Sequence, residues 1–279
     1  MTHSLVILTV SDVKLRARKS GWRLSAVTST AALLCSLAPL RPAGACPEGA
    51  QDGATRVKAK PAAVGAFDLR SLKPREHTLD GGQLVADLGH GRRAELTLDP
   101  GLQGHVEKLL DRYRVPRAGV VALEPDTGRV LAYVSHWQTD GEPRDMVLDT
   151  EPPAASVFKL ITAAALLERG IKPTRSTCYA GGYSRLTTAH LRPARGKGRA
   201  CASFANALGF SINAIFGQLA DRHLDRARLE RYASAFGFGH ALPFDVPTDA
   251  SPSRIPDERL AFARVSAGFW QVHMSPLHG

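Results

Sequence analysis

The chain has 279 residues, 44% of them hydrophobic, which is enough apolar sequence for one sizeable core beside an N-terminal appendage. Its formal net charge of +10 suggests nucleic acid at first, but six Lys or Arg and one Asp in residues 1–45 carry about half of that excess. The clearest remaining basic cluster lacks the aromatic interleaving of single-strand binders; it consists of Arg192, Arg195, Lys197 and Arg199. We therefore expect no nucleic-acid partner, whereas attraction to anionic wall polymer or lipid headgroups stays open.

The N-terminal 45 residues have the composition of an export segment. A basic region at residues 14–23 precedes an apolar run at residues 24–40, and Ala43-Gly44-Ala45 resembles a small-x-small cleavage site. A cleaved signal peptide and a retained membrane anchor both remain open, although the apolar run is short for a membrane span. Either interpretation predicts an exported protein, in the periplasm or on the outer face of the cytoplasmic membrane.

After residue 45 the chain predicts a linker and then a folded domain. Residues 46–93 are rich in Gly, Ala, Lys and Pro with little periodicity, which predicts a flexible linker. Further on, residues 119–125 and 129–135 alternate and flank Asp126-Thr127-Gly128, a pattern that predicts a β-hairpin. The segment of residues 99–113 carries an apolar stripe at helical spacing, so it can cover one face of that hairpin.

Ser156 and Lys159 lie at the start of a predicted helix. Prolines precede the helix-forming run of residues 156–169, and Gly170 follows it. Residues i and i+3 share one helix face, so the Ser156 hydroxyl and the Lys159 amine can meet. The run is apolar almost all round, so we expect a buried lysine whose pKa is lowered by desolvation and whose neutral amine takes the serine proton. The alternative is a capping serine beside a lysine that extends to the surface.

A second polar motif, Ser211-Ile212-Asn213, lies between two predicted helices at residues 202–208 and 214–224. Loops held by helices are places where polar groups converge on a cleft. Ser211 could relay a proton between Lys159 and a leaving amine, while the Asn213 amide holds a substrate carbonyl. Ser211 could also cap the following helix, and the two roles are compatible.

The cysteines and histidines indicate a disulfide and not a metal site. Cys178 and Cys201 bracket the basic loop, and in an oxidising periplasm a disulfide between them would close it. The ten His and four Cys show no ligand spacing such as Cys-x-x-Cys or His-Glu-x-x-His. We therefore expect neither a metal nor a cofactor.

Taken together, these motifs resemble the transpeptidase domain of the penicillin-binding proteins, which shares Ser-x-x-Lys, Ser-x-Asn and Lys-Thr-Gly with the serine β-lactamases. The resemblance spans roughly Ala94 to the end, because further segments are also similar to the family: residues 94–103, 119–135, 231–239 and 275–278. It implies an α+β, β-lactamase/transpeptidase-like fold, with an antiparallel sheet and a helical subdomain.

The resemblance also implies roles for the motif residues. Ser156 would be the nucleophile that is acylated by a D-alanyl-D-alanine stem peptide or a β-lactam, and Lys159 would be its general base. Ser211 and Asn213 would be the second-motif pair. No Lys-Thr-Gly, Lys-Ser-Gly or His-Thr-Gly follows Asn213, although in the family such a motif lies on a strand that lines the cleft. We therefore expect residues 94–279 to form a partial, C-terminally truncated domain with an incomplete sheet and an exposed edge.

Three functions follow from these observations. The first is a peptidoglycan D,D-transpeptidase that works through a serine acyl-enzyme. The second is a non-catalytic or vestigial module that holds peptidoglycan peptides or penicillin without turnover. The third, a serine β-lactamase, fits the hairpin and the segment before it less well. The expected partners are peptidoglycan stem peptides and β-lactams, and association with membrane or cell wall stays open.

Overall fold

The structure is a computed structural model that describes residues 69–269 and 271–279, together with the backbone of residues 5–10. Single 3₁₀ turns occur at Ala155–Val157 and Thr188–Leu191. The strands are β1 Leu5–Val10, β2 His77–Asp80, β3 Gln83–Gly89, β4 Arg92–Glu95, β5 Arg117–Leu123, β6 Val130–Trp137, β7 Ser176–Tyr179 and β8 Ala200–Ser203. The helices are α1 Pro100–Arg112, α2 Phe158–Glu168, α3 Phe204–Gly209, α4 Asn213–His223, α5 Arg226–Ala235 and α6 Arg259–Ser266.

The predicted hairpin forms the centre of the main sheet, in which the order of strands is β1-β5-β6 and both pairings are antiparallel. Gly128 takes a positive φ of 73° in the turn between β5 and β6, as the turn signal predicts. The inner residues of β5 are buried on both faces of the sheet. The combination of this antiparallel sheet with a helical region confirms the predicted α+β class.

Helix α1 covers one face of the hairpin, as its apolar stripe predicts. Leu110 of α1 packs with Val120 and Val134 of the sheet. The helix begins where the Asp99 carboxylate accepts a hydrogen bond from the backbone N–H of Leu102 at 2.7 Å, which satisfies one of the free donors of the first turn. The opposite face of the sheet packs on a separate apolar cluster.

The two outer strands of the main sheet, β1 and β6, each pair with a strand on one side only within the described residues, which agrees with the predicted incomplete sheet. The backbone of β1 pairs along β5 from Leu5↔Leu123 to Val10↔Ala118. On β6, the Gln103 side chain bonds the backbone of one residue, because its amide accepts from Tyr133 N–H at 2.8 Å and donates to Tyr133 C=O at 3.0 Å. These bonds satisfy backbone groups that would otherwise remain open at an edge.

A small antiparallel sheet, β2-β3-β4, occupies residues 77–95, where the sequence analysis expects a flexible linker. That expectation is wrong for residues 77–93, and residues 46–68 of the predicted linker lie outside the described residues. Leu84, Ala86 and Leu88 alternate inward along β3, and Leu84 joins the apolar cluster of the main sheet. The turn at Gly81 and Gly82, with φ values of 57° and 88°, has the two positive φ angles of a type I′ hairpin.

The helical region is built around α2, which is buried on two sides, although Leu160 and Leu167 are about half exposed. One side, with Phe158 and Ile161, packs against α5 and α6. The other side, with Ala163 and Leu166, packs against α3 and α4. α2 therefore lies at the centre of this region, so its first turn is held by contacts on several sides. In the described part of the chain, none of the helices has the length and apolar character needed to cross a bilayer. The predicted export segment, apart from residues 5–10, lies outside the described residues.

Candidate active site

Ser156 lies on a strained turn directly before α2. Ala155 has a φ of +47°, a left-handed conformation that costs a non-glycine residue about 1–2 kcal/mol. The 3₁₀ turn Ala155–Val157 then leads into the helix, and the N-cap position of α2 is Val157, without a side-chain cap. Ser156 is therefore not the capping serine of the structural alternative, and its hydroxyl is available for other contacts.

Gly268 packs directly against the backbone of this turn. A Cβ built on Gly268 would lie 2.0 Å from the carbonyl oxygen of Ala155 and 3.2 Å from the backbone nitrogen of Ser156. The segment that carries Gly268 follows α6, which is itself tied to α2 by the hydrogen bond from the Thr162 hydroxyl to the Ser266 carbonyl at 2.8 Å. Only a residue without a side chain can approach the turn so closely.

Lys159 is buried one turn after Ser156, with 1% of its surface exposed. Its Nζ lies 2.8 Å from Ser156 Oγ and 5.8 Å from the centre of the Phe216 ring. Among the described residues, no carboxylate comes within ion-pair distance of this amine. Desolvation therefore disfavours the ammonium form and lowers the pKa of Lys159 from 10.5 to about 8. About a tenth of the amine is then neutral at pH 7, which is about 300-fold more than for an exposed lysine.

Ser211 completes a triangle of polar groups with the first two residues. Its Oγ lies 3.1 Å from Lys159 Nζ and 2.8 Å from Ser156 Oγ. Ser211 has a φ of +53° in the turn between α3 and α4, so this second serine also sits on strained backbone. The N-cap of α4 is Ile212 and not Ser211, so the serine side chain is committed to the triangle and does not cap the helix.

Asn213 lies beside the triangle but is not hydrogen-bonded to it. It is the first residue of α4, and its side-chain nitrogen donates a hydrogen bond to the backbone carbonyl of Tyr183. Three of the four motif residues are therefore hydrogen-bonded to one another. The fourth, Asn213, is hydrogen-bonded to the loop that carries Tyr183. The amide oxygen of Asn213 remains an acceptor for a further donor.

Cys178 and Cys201 are directly opposite each other in the β7–β8 pair and are joined by a disulfide. Beside it lies a cavity of about 450 Å³, which Ser211 lines together with three aromatic side chains. We name this space the aromatic cavity, and its aromatic residues are Tyr179, Tyr183 and Phe210. This cavity was not predicted from the sequence, in which its signal is the clustering of aromatic residues around the two cysteines and the second motif.

A serine hydroxyl, a buried amine with a lowered pKa and a second hydroxyl on an α+β scaffold form a site of the lysine-activated serine type. Comparison with known proteins agrees, because residues 118–278 match the family model of the penicillin binding protein transpeptidase domain. This match covers more than half of the chain. The chain therefore belongs to the penicillin-binding protein transpeptidase family.

The relatives that the chain resembles carry names from peptidoglycan synthesis and sporulation. It is 29% identical over 188 residues to the stage V sporulation protein D of Bacillus subtilis, which covers 61% of this chain and 28% of the relative. It is 28% identical over 185 residues to the peptidoglycan D,D-transpeptidase MrdA of Escherichia coli, covering 58% and 28% respectively. The chain thus spans less than a third of the length of these curated relatives.

Solved structures give the same family. Penicillin-binding protein A of Mycobacterium tuberculosis, in a ceftriaxone acyl-enzyme complex, superposes with a TM-score of 0.53 at 26% identity. The superposition covers 65% of this chain and 48% of that chain. An imipenem acyl-enzyme complex of the same protein superposes equally well, at a TM-score of 0.53.

Proposed function

We propose that the protein acts as a peptidoglycan D,D-transpeptidase, through an acyl-enzyme on Ser156, with D-alanyl-D-alanine stem peptides as donors and β-lactams as covalent inhibitors. The observation that carries the proposal is the triangle of Ser156, Lys159 and Ser211, in which each polar atom lies within 3.1 Å of the other two. Membership of the family and the acyl-enzyme complexes of its structural relative support it.

The proposed acylation begins with removal of the Ser156 proton by the neutral amine of Lys159. The Ser156 oxygen then attacks the carbonyl carbon of the penultimate D-alanine, and the C–N bond of the terminal D-alanine breaks. Lys159, now an ammonium, returns the proton to the leaving amine through the Ser211 hydroxyl, which is hydrogen-bonded to Lys159 Nζ and to Ser156 Oγ. The lowered pKa of Lys159 suits this exchange, because a base that titrates near the working pH can both accept and return a proton.

Asn213 is proposed to bind the amide groups of the donor peptide, since it lies at the start of α4 next to Ser211. Its hydrogen bond to the Tyr183 carbonyl leaves the side-chain oxygen for a peptide N–H. We also propose that residues 1–45 direct export and that the domain works in the periplasm or on the outer face of the cytoplasmic membrane, in contact with membrane or wall. Fusion of residues 1–45 to a reporter enzyme that is active only after export tests this, and an inactive reporter argues against it.

Labelling with a fluorescent penicillin tests the proposed reaction. The wild type is expected to retain covalent label through denaturing electrophoresis, whereas Ser156→Ala is expected to retain none. Ser71→Ala is the matched control, because Ser71 is an exposed serine away from the triangle. If the wild type is folded but takes no label, the acyl-enzyme proposal fails, and a non-catalytic module becomes the better account. Rapid release of hydrolysed penicillin would instead favour a β-lactamase.

A further inference from the structure

The aromatic cavity has the features of a binding site, because large aromatic side chains are exposed on its walls next to Ser211. Phe210 is 78% exposed and Tyr183 is 72% exposed, while Tyr179 packs edge-on against Tyr183 with the ring centres 6.4 Å apart. Aromatic side chains of this size are more often buried, and exposed ones that share a concave surface mark a binding site. Ser211 lines the cavity and also belongs to the triangle with Ser156 and Lys159.

The walls of the cavity are fixed from two directions. The Cys178–Cys201 disulfide ties β7 to β8 next to Tyr179. The Asn213 side chain holds the backbone of Tyr183. A ligand that enters therefore meets a preformed surface, which lowers the entropy cost of binding.

All the residues that line the cavity belong to a basic segment of the chain. Between Glu168 and Asp221 the chain contains no acidic residue, and the basic side chains of this stretch are all exposed. Along the sequence, Arg185 is two residues after Tyr183, and Arg199 is two residues before Cys201. A ligand with a carboxylate is attracted to such a surface, and an amine beside it is kept in its neutral, nucleophilic form.

We propose that the aromatic cavity is the acceptor subsite of the proposed transpeptidase: it receives the amine that resolves the Ser156 acyl-enzyme. The preferred acceptor is a D-amino acid, or a peptide that ends in one, with an apolar side chain and a free carboxylate. This inference rests on the function proposed above.

The position of Ser211 carries the assignment. Its hydroxyl hands the proton to the departing amine, so that amine lies against Ser211. An acceptor amine attacks the same carbonyl by the reverse path and takes the same place. The group attached to the acceptor nitrogen then extends into the space that Ser211 lines, which is the aromatic cavity.

The transfer step balances without any further reactant. The acceptor nitrogen bonds to the ester carbonyl carbon, and the bond from that carbon to Ser156 Oγ breaks. The proton leaves the nitrogen through Ser211 Oγ and Lys159 and ends on Ser156 Oγ. The products are an amide and a free serine, and water competes for the same ester.

The experiment measures how the acyl-enzyme divides between water and an added amine. An N-acyl-D-alanyl thioester serves as donor, and D-alanine, D-phenylalanine and D-phenylalaninamide serve as acceptors at equal concentrations of neutral amine. Chromatography gives the ratio of aminolysis to hydrolysis, which does not depend on the acylation rate because both products come from one intermediate. We expect a ratio about 2- to 10-fold higher for D-phenylalanine than for D-alanine, as one aromatic contact provides. D-phenylalaninamide should fall below D-phenylalanine, with a difference that shrinks as salt is raised.

Substitutions in the cavity test whether its aromatic side chains cause the preference for D-phenylalanine. Tyr183→Ala should remove most of the preference for D-phenylalanine, and Phe210→Leu is the second variant if the first does not fold. Tyr113→Ala is the matched control, because Tyr113 is 71% exposed at the end of α1, away from the cavity, and should keep the preference. Penicillin labelling of the wild type distinguishes a failure of the proposed function from a failure of the acceptor subsite alone. Absence of label overturns the proposed function together with this inference, whereas normal label with a preference unchanged in both cavity variants overturns the acceptor subsite alone.

Discussion

Replacement of Gly268 by alanine should slow acylation without disturbing the lysine base. The new Cβ would lie 2.0 Å from the Ala155 carbonyl oxygen, whereas such contacts are rarely closer than 3.0 Å. The turn that carries Ser156, or the segment after α6, must therefore move by about 1 Å. A displacement of this size at a reacting group costs about 100-fold in rate. We expect the second-order rate constant for fluorescent penicillin to fall by about that factor.

Gly239→Ala is the matched control for backbone strain. Gly239 has a φ of +79°, close to the +84° of Gly268, but a Cβ there meets nothing within 4 Å. Both variants suffer the same left-handed penalty of about 1–2 kcal/mol in unfolding free energy, while only Gly268→Ala displaces the serine. The pH at which acylation reaches half its maximum should stay near the pKa of Lys159 in both. Equal loss of rate in the two variants, or a wild-type rate in a folded Gly268→Ala protein, would refute this positioning role.

Four further predictions concern the triangle and the disulfide. In the wild type, acylation should rise with pH through about 8 and then level off, because the neutral Lys159 amine is the base. Lys159→Met should abolish acylation and yet raise the free energy of urea unfolding at pH 7 by about 3 kcal/mol, because folding depresses the lysine pKa to about 8. This penalty is full below pH 8 and disappears as the pH rises towards 10.5, so a gain in stability that does not shrink at pH 10 contradicts the assignment. Ser211→Ala should lower the acylation rate by about 100-fold while leaving thermal stability within a degree or two, and an unchanged rate rules out the relay. Cys178→Ser with Cys201→Ser should cost about 3 kcal/mol in unfolding free energy, as expected for a sequence separation of 23, and reductant should destabilise only the wild type.

The sequence predicts those features that depend on local pattern. The β5–β6 hairpin follows from alternation around Asp126-Thr127-Gly128, and α2 follows from an apolar run that ends at Gly170, whose φ is +89°. The burial of Lys159 follows from the apolar residues around it. Each of these signals lies within a few residues of the feature that it predicts, so no tertiary information is needed.

Features that depend on distant contacts could not be predicted. Ala155 and Ser211 carry no glycine signal for their positive φ, because the surrounding structure imposes the strain. The role of Gly268 appears only when the segment after α6 is placed against the Ser156 turn. The β2–β4 sheet is a different case, since Gly81-Gly82 and the alternation of Leu84, Ala86 and Leu88 were visible in a segment whose overall composition suggested a linker.

Intact-mass and peptide-mass measurement after exposure to penicillin tests the central claim most directly. The account predicts a mass increase of one penicillin per chain, located after trypsin digestion on the peptide of residues 145–159, in which Ser156 is the only serine. The adduct should be absent from Lys159→Met treated in parallel at pH 7. A folded protein without an adduct, or an adduct on any other peptide, contradicts the assignment of Ser156 as the nucleophile.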